Sequence, residues 1–222
     1  IYLGRDEREE NKTPDYSAFA LSLLNGFDTV LEGKIDASQS MLTMKDAQWK
    51  ITADSSLKKI SMAGSMVRFN NENRNSFNTL TVDELSSNNS AFVMRTNTQQ
   101  ADKLIVKNKL EGENNLLLVD FIEKKGNDKN LNIDLVKAPE NTSKDVFKTE
   151  KQTIGFSDVT PEITQQEKDG QSVWTLTGYK TLANTSAVAK ATSLMSGNYK
   201  TFLNEVNNLN KRMGDLRDIN GE

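Results

Sequence analysis

Short apolar runs recur along most of the chain, each bounded by Gly, Asn, Asp or Ser. They fall at Phe27–Leu31, Met41–Met44, Trp49–Thr52, Leu57–Met62, Met66–Phe69, Thr79–Leu85, Ala91–Arg95, Lys103–Val106 and Asn115–Phe121. Runs this short, with polar punctuation such as Asn25-Gly26, read as strands. They return roughly every twenty residues without a sharp consensus. That period suits a solenoid, in which each coil buries its inner face only against its neighbours. A β-sandwich of antiparallel hairpins also fits the composition. Leu116–Phe121 is the most hydrophobic run, and the pattern predicts a strand buried on both faces.

After a polar hairpin at Lys124–Asn130, Leu131–Val136 alternates as a half-buried strand should. Pro139–Ser143 reads as a loop, and strands are expected at Thr153–Val159 and Glu162–Gln166. Asp169-Gly170 then turns the chain into a last strand, Ser172–Tyr179. Trp174 and Leu176 fall on one face of that strand, and Val173, Thr175, Thr177 and Tyr179 on the other. A solenoid needs its end covered, because an open coil exposes apolar core and unpaired backbone. The hairpin bearing Trp174, Leu176 and Tyr179 is the candidate folding cap. An ordinary core tryptophan would be buried equally, so folding kinetics separate the two.

The pattern changes after a short linker at Leu182–Ser186. Met195, Tyr199, Phe202, Val206, Leu209, Met213 and Leu216 alternate four and three apart, the stripe of an amphipathic helix. A coiled-coil or bundle helix shows the same spacing. A kink is expected at Ser196-Gly197, and from Asn198 to Leu216 the helix would run roughly 28 Å. Its polar flank forbids bare lipid, whereas a water-filled barrel would accept both sides.

Composition narrows the function. The 222 residues carry a formal charge of -3, which leaves no basic footprint for nucleic acid. With no His and no Cys there is no Ser-His-Asp or Cys-His nucleophile and no zinc site of the usual kind, so neither metal nor cofactor is expected. No apolar run is long enough to span a bilayer as a helix. The chain opens on Ile1 without a signal peptide and reads as a piece of a longer protein. The charge run Arg5–Asn11 reads as a solvated loop. Ser55-Ser56-Leu57-Lys58 meets an S-x-x-K spacing without its partner motifs. A carbohydrate-active β-helix would need paired carboxylates facing a groove, and the strands show no such cluster.

Glu205-Val206-Asn207-Asn208-Leu209-Asn210-Lys211-Arg212-Met213-Gly214-Asp215-Leu216-Arg217-Asp218 resembles the passenger–translocator junction of the serine protease autotransporters of enterobacteria, in their haemoglobin-binding protease (temperature-sensitive haemagglutinin) form. Phe77–Tyr179 resembles the passenger C-terminus of that family, and Ser86–Asn97 the start of its autochaperone region. The resemblance implies an all-β chain: a right-handed parallel β-helix, a hairpin-rich autochaperone cap, then a C-terminal α-helix. Residues 1–85 would be distal coils, 86–182 the cap, and 183–222 a linker helix leading into a translocator barrel. It further implies release of the passenger between Asn207 and Asn208, with the Asn207 side chain as nucleophile. Partners would be the chain's own C-terminal β-barrel translocator, with the barrel assembly machinery and periplasmic chaperones during export. The chain would be monomeric, in transit through periplasm and outer membrane, then at the cell surface or secreted. The protease triad of the parent would lie in another domain. The rival reading is a structural or adhesive surface fiber with a C-terminal coiled coil.

Overall fold

The computed structural model describes residues 20–23, 29–123, 129–154 and 157–184. Fifteen strands follow in order. They are β1 (Ala20–Leu23), β2 (Val30–Glu32), β3 (Asp36–Lys45), β4 (Gln48–Ile51), β5 (Ser55–Ala63), β6 (Met66–Phe69), β7 (Thr79–Asn88) and β8 (Ala91–Thr96). Then come β9 (Lys103–Glu113), β10 (Asn115–Phe121), β11 (Lys129–Pro139), a single 3-10 turn at Lys144–Val146, β12 (Phe147–Lys148), β13 (Gln152–Ile154), β14 (Ser157–Lys168) and β15 (Gln171–Ala183).

From β1 to β13 odd and even strands separate into two sheets, and β14 joins the odd-numbered one. One has the order β1-β3-β5-β7-β9-β11-β15-β14-β13, the other β12-β10-β8-β6-β4-β2. Among the described residues the strands from β1 to β10 pair in parallel within either sheet. The chain therefore winds as a parallel β-helix, and the expected solenoid is observed rather than a hairpin sandwich. Equivalent corner residues lie 18 residues apart from Ala47 to Ser65, then 25 apart from Ser65 to Ser90 and from Ser90 to Asn115. The extra residues sit mainly in the connection at 70–78 in one coil, and in the connection at 97–102 and the longer strands β8 and β9 in the next, which explains why no sharp sequence repeat exists.

Stacking, rather than any one coil, makes the core. Leu42, Ile60, Leu85 and Leu110 lie in register on successive strands and are all buried. In the second sheet Leu31, Trp49, Val67, Phe92 and Leu117 do the same. Each long strand also turns a corner: burial alternates, slips where two outward residues adjoin at 38–39, 58–59 and 83–84, then resumes. Register shifts at Ala37/Met41 and Val82/Glu84 coincide with two of those slips.

The corner between the sheets has a fixed chemistry. Asp46, Gly64, Asn89 and Asn114 occupy it in successive coils with φ of 50°, 59°, 49° and 55°. Asn, Asp and Gly are the residues that tolerate this left-handed region. The next residue in each coil points inward, where a buried N–H needs a partner. Ser65 Oγ accepts from Ala47 N–H, Ser90 Oγ from Ser65 N–H, and Asn115 Oδ1 from Ser90 N–H, each at 3.1–3.2 Å.

Several boundaries differ from the sequence reading. Leu116 and Leu118 of β10 are only half-buried, because an outward residue on a β-helix face is shielded by its neighbours alone. Among the described residues the strands covered on both sides are β8, where Phe92 to Thr96 are all buried, and β15 from Ser172 to Leu176. Strand β9 continues through the charged Lys107–Glu113, and β15 continues through Leu182 and Ala183, which the sequence assigns to a linker. Strand β14 is one strand from Ser157 to Lys168.

The chain divides into two compact units, Ile1–Gln152 with Thr160–Lys180, and Thr153–Val159 with Thr181–Glu222. Within the second, Asp158 Oδ1 accepts from Thr153 Oγ1 at 2.8 Å and from Asn184 Nδ2 at 2.7 Å. The charge run Arg5–Asn11, the turn Asn25-Gly26, the tip of the Lys124–Asn130 hairpin, the helical stripe and the Asn207-Asn208 pair lie outside the described residues. None of the described helices is long and apolar enough to cross a membrane.

Candidate folding cap

Strand β11 is where the parallel pattern ends. On one side Val136 and Lys137 pair parallel with Leu104 and Ile105 of β9; on the other they pair antiparallel with Trp174 and Val173 of β15. Strands β14 and β15 adjoin across Asp169 and Gly170, whose φ of 53° and 71° suit a tight hairpin turn. An antiparallel return cannot be followed by another coil of the same hand and register, so the stack stops here.

Aromatic rings close the core beneath that hairpin. Phe92 of the fourth full coil meets Phe147 edge-on at 5.6 Å, and Phe147 meets Trp174 edge-on at 5.3 Å. Edge-to-face pairs of this kind add to the gain from burial. Tyr179 packs against Phe121 at 4.5 Å. Leu176 pairs across the strands with Ile133 and is fully buried. Trp174, Leu176 and Tyr179 are thus all interior, although strand alternation puts Tyr179 on the opposite face from the other two. Register shifts at Lys129/Ile133 and Asp134/Val136 break regular β11–β15 pairing over the same stretch.

Polar groups tie the hairpin to the last coil. Asn115 Nδ2 donates to Val146 O at 3.1 Å and to Ser87 O at 2.7 Å, carrying the inward corner ladder into the turn before β12. Ser172 Oγ accepts from Thr142 N–H at 3.1 Å, and Gln165 Nε2 donates to Thr142 O at 2.8 Å. Asp134 accepts from Thr175 Oγ1 at 3.0 Å and lies 3.3 Å from Lys137 Nζ. Lys180 forms a 2.7 Å pair with Glu162, whose hydrogen bond holds the Lys180 amine above its ordinary range.

Sequence reasoning missed Phe147 and Asn115. Phe147 has only Val146 beside it in a charged stretch, so no periodicity marks it, and Asn115 looks like one more turn asparagine. The S-x-x-K serine has a structural role instead: Ser55 Oγ accepts from Ile35 N–H at 3.2 Å and donates to Ala53 O at 3.0 Å, while Lys58 is exposed. Outward carboxylates are paired with lysines, as in Lys59–Glu84 and Lys107–Asp83. Among the described residues no group of three or more His, Cys, Asp or Glu is placed to hold a metal ion.

Comparison with known proteins agrees with this architecture. A family model described as pertactin matches residues 57–178. The serine protease pet autotransporter of Escherichia coli O44:H18 (strain 042 / EAEC) is 76% identical over 215 residues, covering 96% of this chain and 16% of that protein. Serine protease EspP of Escherichia coli O157:H7 is 53% identical over 225 residues, covering 100% of this chain and 17% of that protein. The chain thus spans about one sixth of the length of these curated relatives. The crystal structure of the passenger domain of plasmid encoded toxin, an autotransporter enterotoxin from enteroaggregative Escherichia coli, superposes with a TM-score of 0.64 at 78% identity, over 71% of this chain and 17% of that one. The Haemophilus influenzae Hap adhesin shares the fold, with a TM-score of 0.50 at 21% identity over 72% of this chain and 17% of that one. A family match covering more than half the chain, together with these relatives, shows that the protein belongs to the pertactin family and is homologous to the passenger region of secreted serine protease autotransporters.

Proposed function

We propose that this chain is the C-terminal part of the secreted passenger of an autotransporter serine protease, and that its antiparallel end promotes folding and outer-membrane secretion of that passenger. The observation that supports this reading most is the change at Val136–Lys137, where a parallel stack meets an antiparallel hairpin sealed by Trp174. A stack closed at one end offers its free strand edges at the other. Each further coil then gains stability from a neighbour already in place. If residues 86–182 fold first at the cell surface, coil growth runs back along the chain and draws it outward. Residues 1–85 are distal coils in this reading; the linker helix expected over 183–222 begins after Asn184, since Ala183 ends β15, and lies inside the chain's own translocator barrel. The barrel assembly machinery and periplasmic chaperones act on the chain in transit, and the folded passenger ends at the cell surface or free of the cell.

Release takes place at Asn207-Asn208 in the same reading. The Asn207 side-chain nitrogen attacks its own backbone carbonyl carbon, the bond to Asn208 breaks, Asn208 leaves as an amine, and Asn207 becomes a succinimide. A neutral amide is a poor nucleophile, so the step requires distortion and a base supplied by the surrounding barrel. The chain on its own therefore stays intact.

The test is secretion of the full-length autotransporter with 89–179 deleted, beside the single change Trp174→Ala. The reading predicts passenger stalled and protease-sensitive at the surface in both cases. Secretion of folded deletion product at the normal rate would overturn it.

A further inference from the structure

The inward face of the coils is apolar, yet one ion pair is buried beside it. Asp102 is fully buried and the Arg95 side chain nearly so. Arg95 Nε and its terminal nitrogen reach the two Asp102 oxygens at 2.9 and 2.8 Å, a bidentate pair. Asp102 also accepts from Arg95 N–H at 2.8 Å and from Asn78 N–H at 2.7 Å. The remaining guanidinium donors face the connection at 70–78: one terminal nitrogen donates to Ser76 O at 2.8 Å, the other to Asn71 O at 3.4 Å. The Phe77 ring lies 5.8 Å from the guanidinium carbon, within cation–π range. Asn71 Nδ2 bonds Asn78 Oδ1 at 2.9 Å, and Asn78 Nδ2 reaches Ile51 O, one coil further back.

The elements involved have an order. Arg95 and Asp102 flank a single connection, and Thr96 and Ala101 bridge it. Everything else they hold comes from earlier in the chain. A buried pair costs free energy unless its leftover donors are met, and here the preceding connection meets them.

We propose that Arg95 and Asp102 form a docking site for the chain's own 71–78 connection, the clamp by which the coils from β8 onward capture the coil laid before them. Its ligand is a turn-bearing segment presenting two backbone carbonyls, one backbone N–H and one aromatic ring. This deepens the reading of the previous section, since it names residues through which a preformed end templates the next coil. It predicts a seam: weakening the clamp uncouples 36–88 from the coils and hairpin beyond it.

The test is native-state hydrogen exchange on the whole 222-residue chain, for wild type, Asp102→Asn and Phe77→Ala. Peptides within 36–88 should lose protection at least tenfold in Asp102→Asn, and to a smaller degree in Phe77→Ala, while peptides within 104–121 and 133–179 stay as in wild type. Equal loss on both sides of the seam, global failure of Asp102→Asn to fold, or loss confined to 70–78 and 95–102 would each overturn the proposal. A negative result here leaves the secretion test of the cap standing by itself, so the two readings fail separately.

Discussion

The chain has two tryptophans, one in each kind of architecture. Trp49 lies in the parallel coils, in register between Leu31 and Val67, fully buried, with its indole N–H donating to Gly33 O at 3.0 Å. Trp174 lies in the antiparallel hairpin, edge-on to Phe147, and among the described residues no further parallel coil follows it. Both are interior, yet they hold different things. A coil is supported from two sides by near-copies of itself, so a defect there is shared with neighbours. The end has one supported side, and its strand β15 is buried on both faces from Ser172 to Leu176. Stability in a stack is a sum of coil terms and interface terms, and the end interface is the one without a substitute.

This contrast is open to direct attack. Trp174→Ala and Trp49→Ala should each cost about 3–5 kcal/mol, the range for a buried aromatic truncated to alanine. Their reach should differ: urea unfolding followed by limited proteolysis should show Trp174→Ala lowering the midpoint of the whole stack, and Trp49→Ala releasing only the first coils. Identical fragment patterns for the two variants would erase the distinction.

A second break targets the stack from within. A Cβ on Gly112 would lie 1.7 Å from the Ser87 carbonyl oxygen of the preceding coil, at a φ of 127° that side chains avoid. Gly112→Ala should cost about 3 kcal/mol through strain and overpacking, read as a loss of urea midpoint. Asn115→Ala probes the join between the two regions. It removes the partner of Ser90 N–H and of the Ser87 and Val146 carbonyls in a buried corner. A cost of about 2–3 kcal/mol is expected, with circular dichroism unchanged at low temperature.

The smallest effect is electrostatic. The Ser56 hydroxyl, donating at 2.8 Å, holds the Asp36 carboxyl below its ordinary value of 3.8, with Lys34 adding to this. A carboxylate lowered in the folded state contributes stability above pH 3.8 that fades as pH falls through its lowered folded value. Asp36 is well exposed, so screening keeps the effect small. Ser56→Ala should lower the urea midpoint slightly at neutral pH, and the loss should vanish as pH falls through the Asp36 range, flattening the acid limb.

How much of this the sequence announces depends on who supplies the partner. Runs such as Met66–Phe69 and Asn115–Phe121 coincide with strands because burial of alternate residues on one face is written locally. Lys107–Glu113 was opaque: its outward Lys and Glu residues hide a strand whose second half has only Leu110 fully buried. Phe147, Asn115 and the Arg95–Asp102 pair answer to residues in other coils, and a single pass along the chain cannot see them. The reverse error came from Leu116 and Leu118, where apolar character outran actual cover. Asn207-Asn208 was legible only through resemblance to a family motif.

The central claim is that the antiparallel end forms before the coils it caps. Pulse-labelling hydrogen exchange during refolding of the full chain from urea measures that order. The account predicts that amides of 133–138 and 172–179 gain protection first, followed by β9 and β7, with β3 and β5 last. Protection of β3 and β5 before, or together with, the hairpin would contradict it.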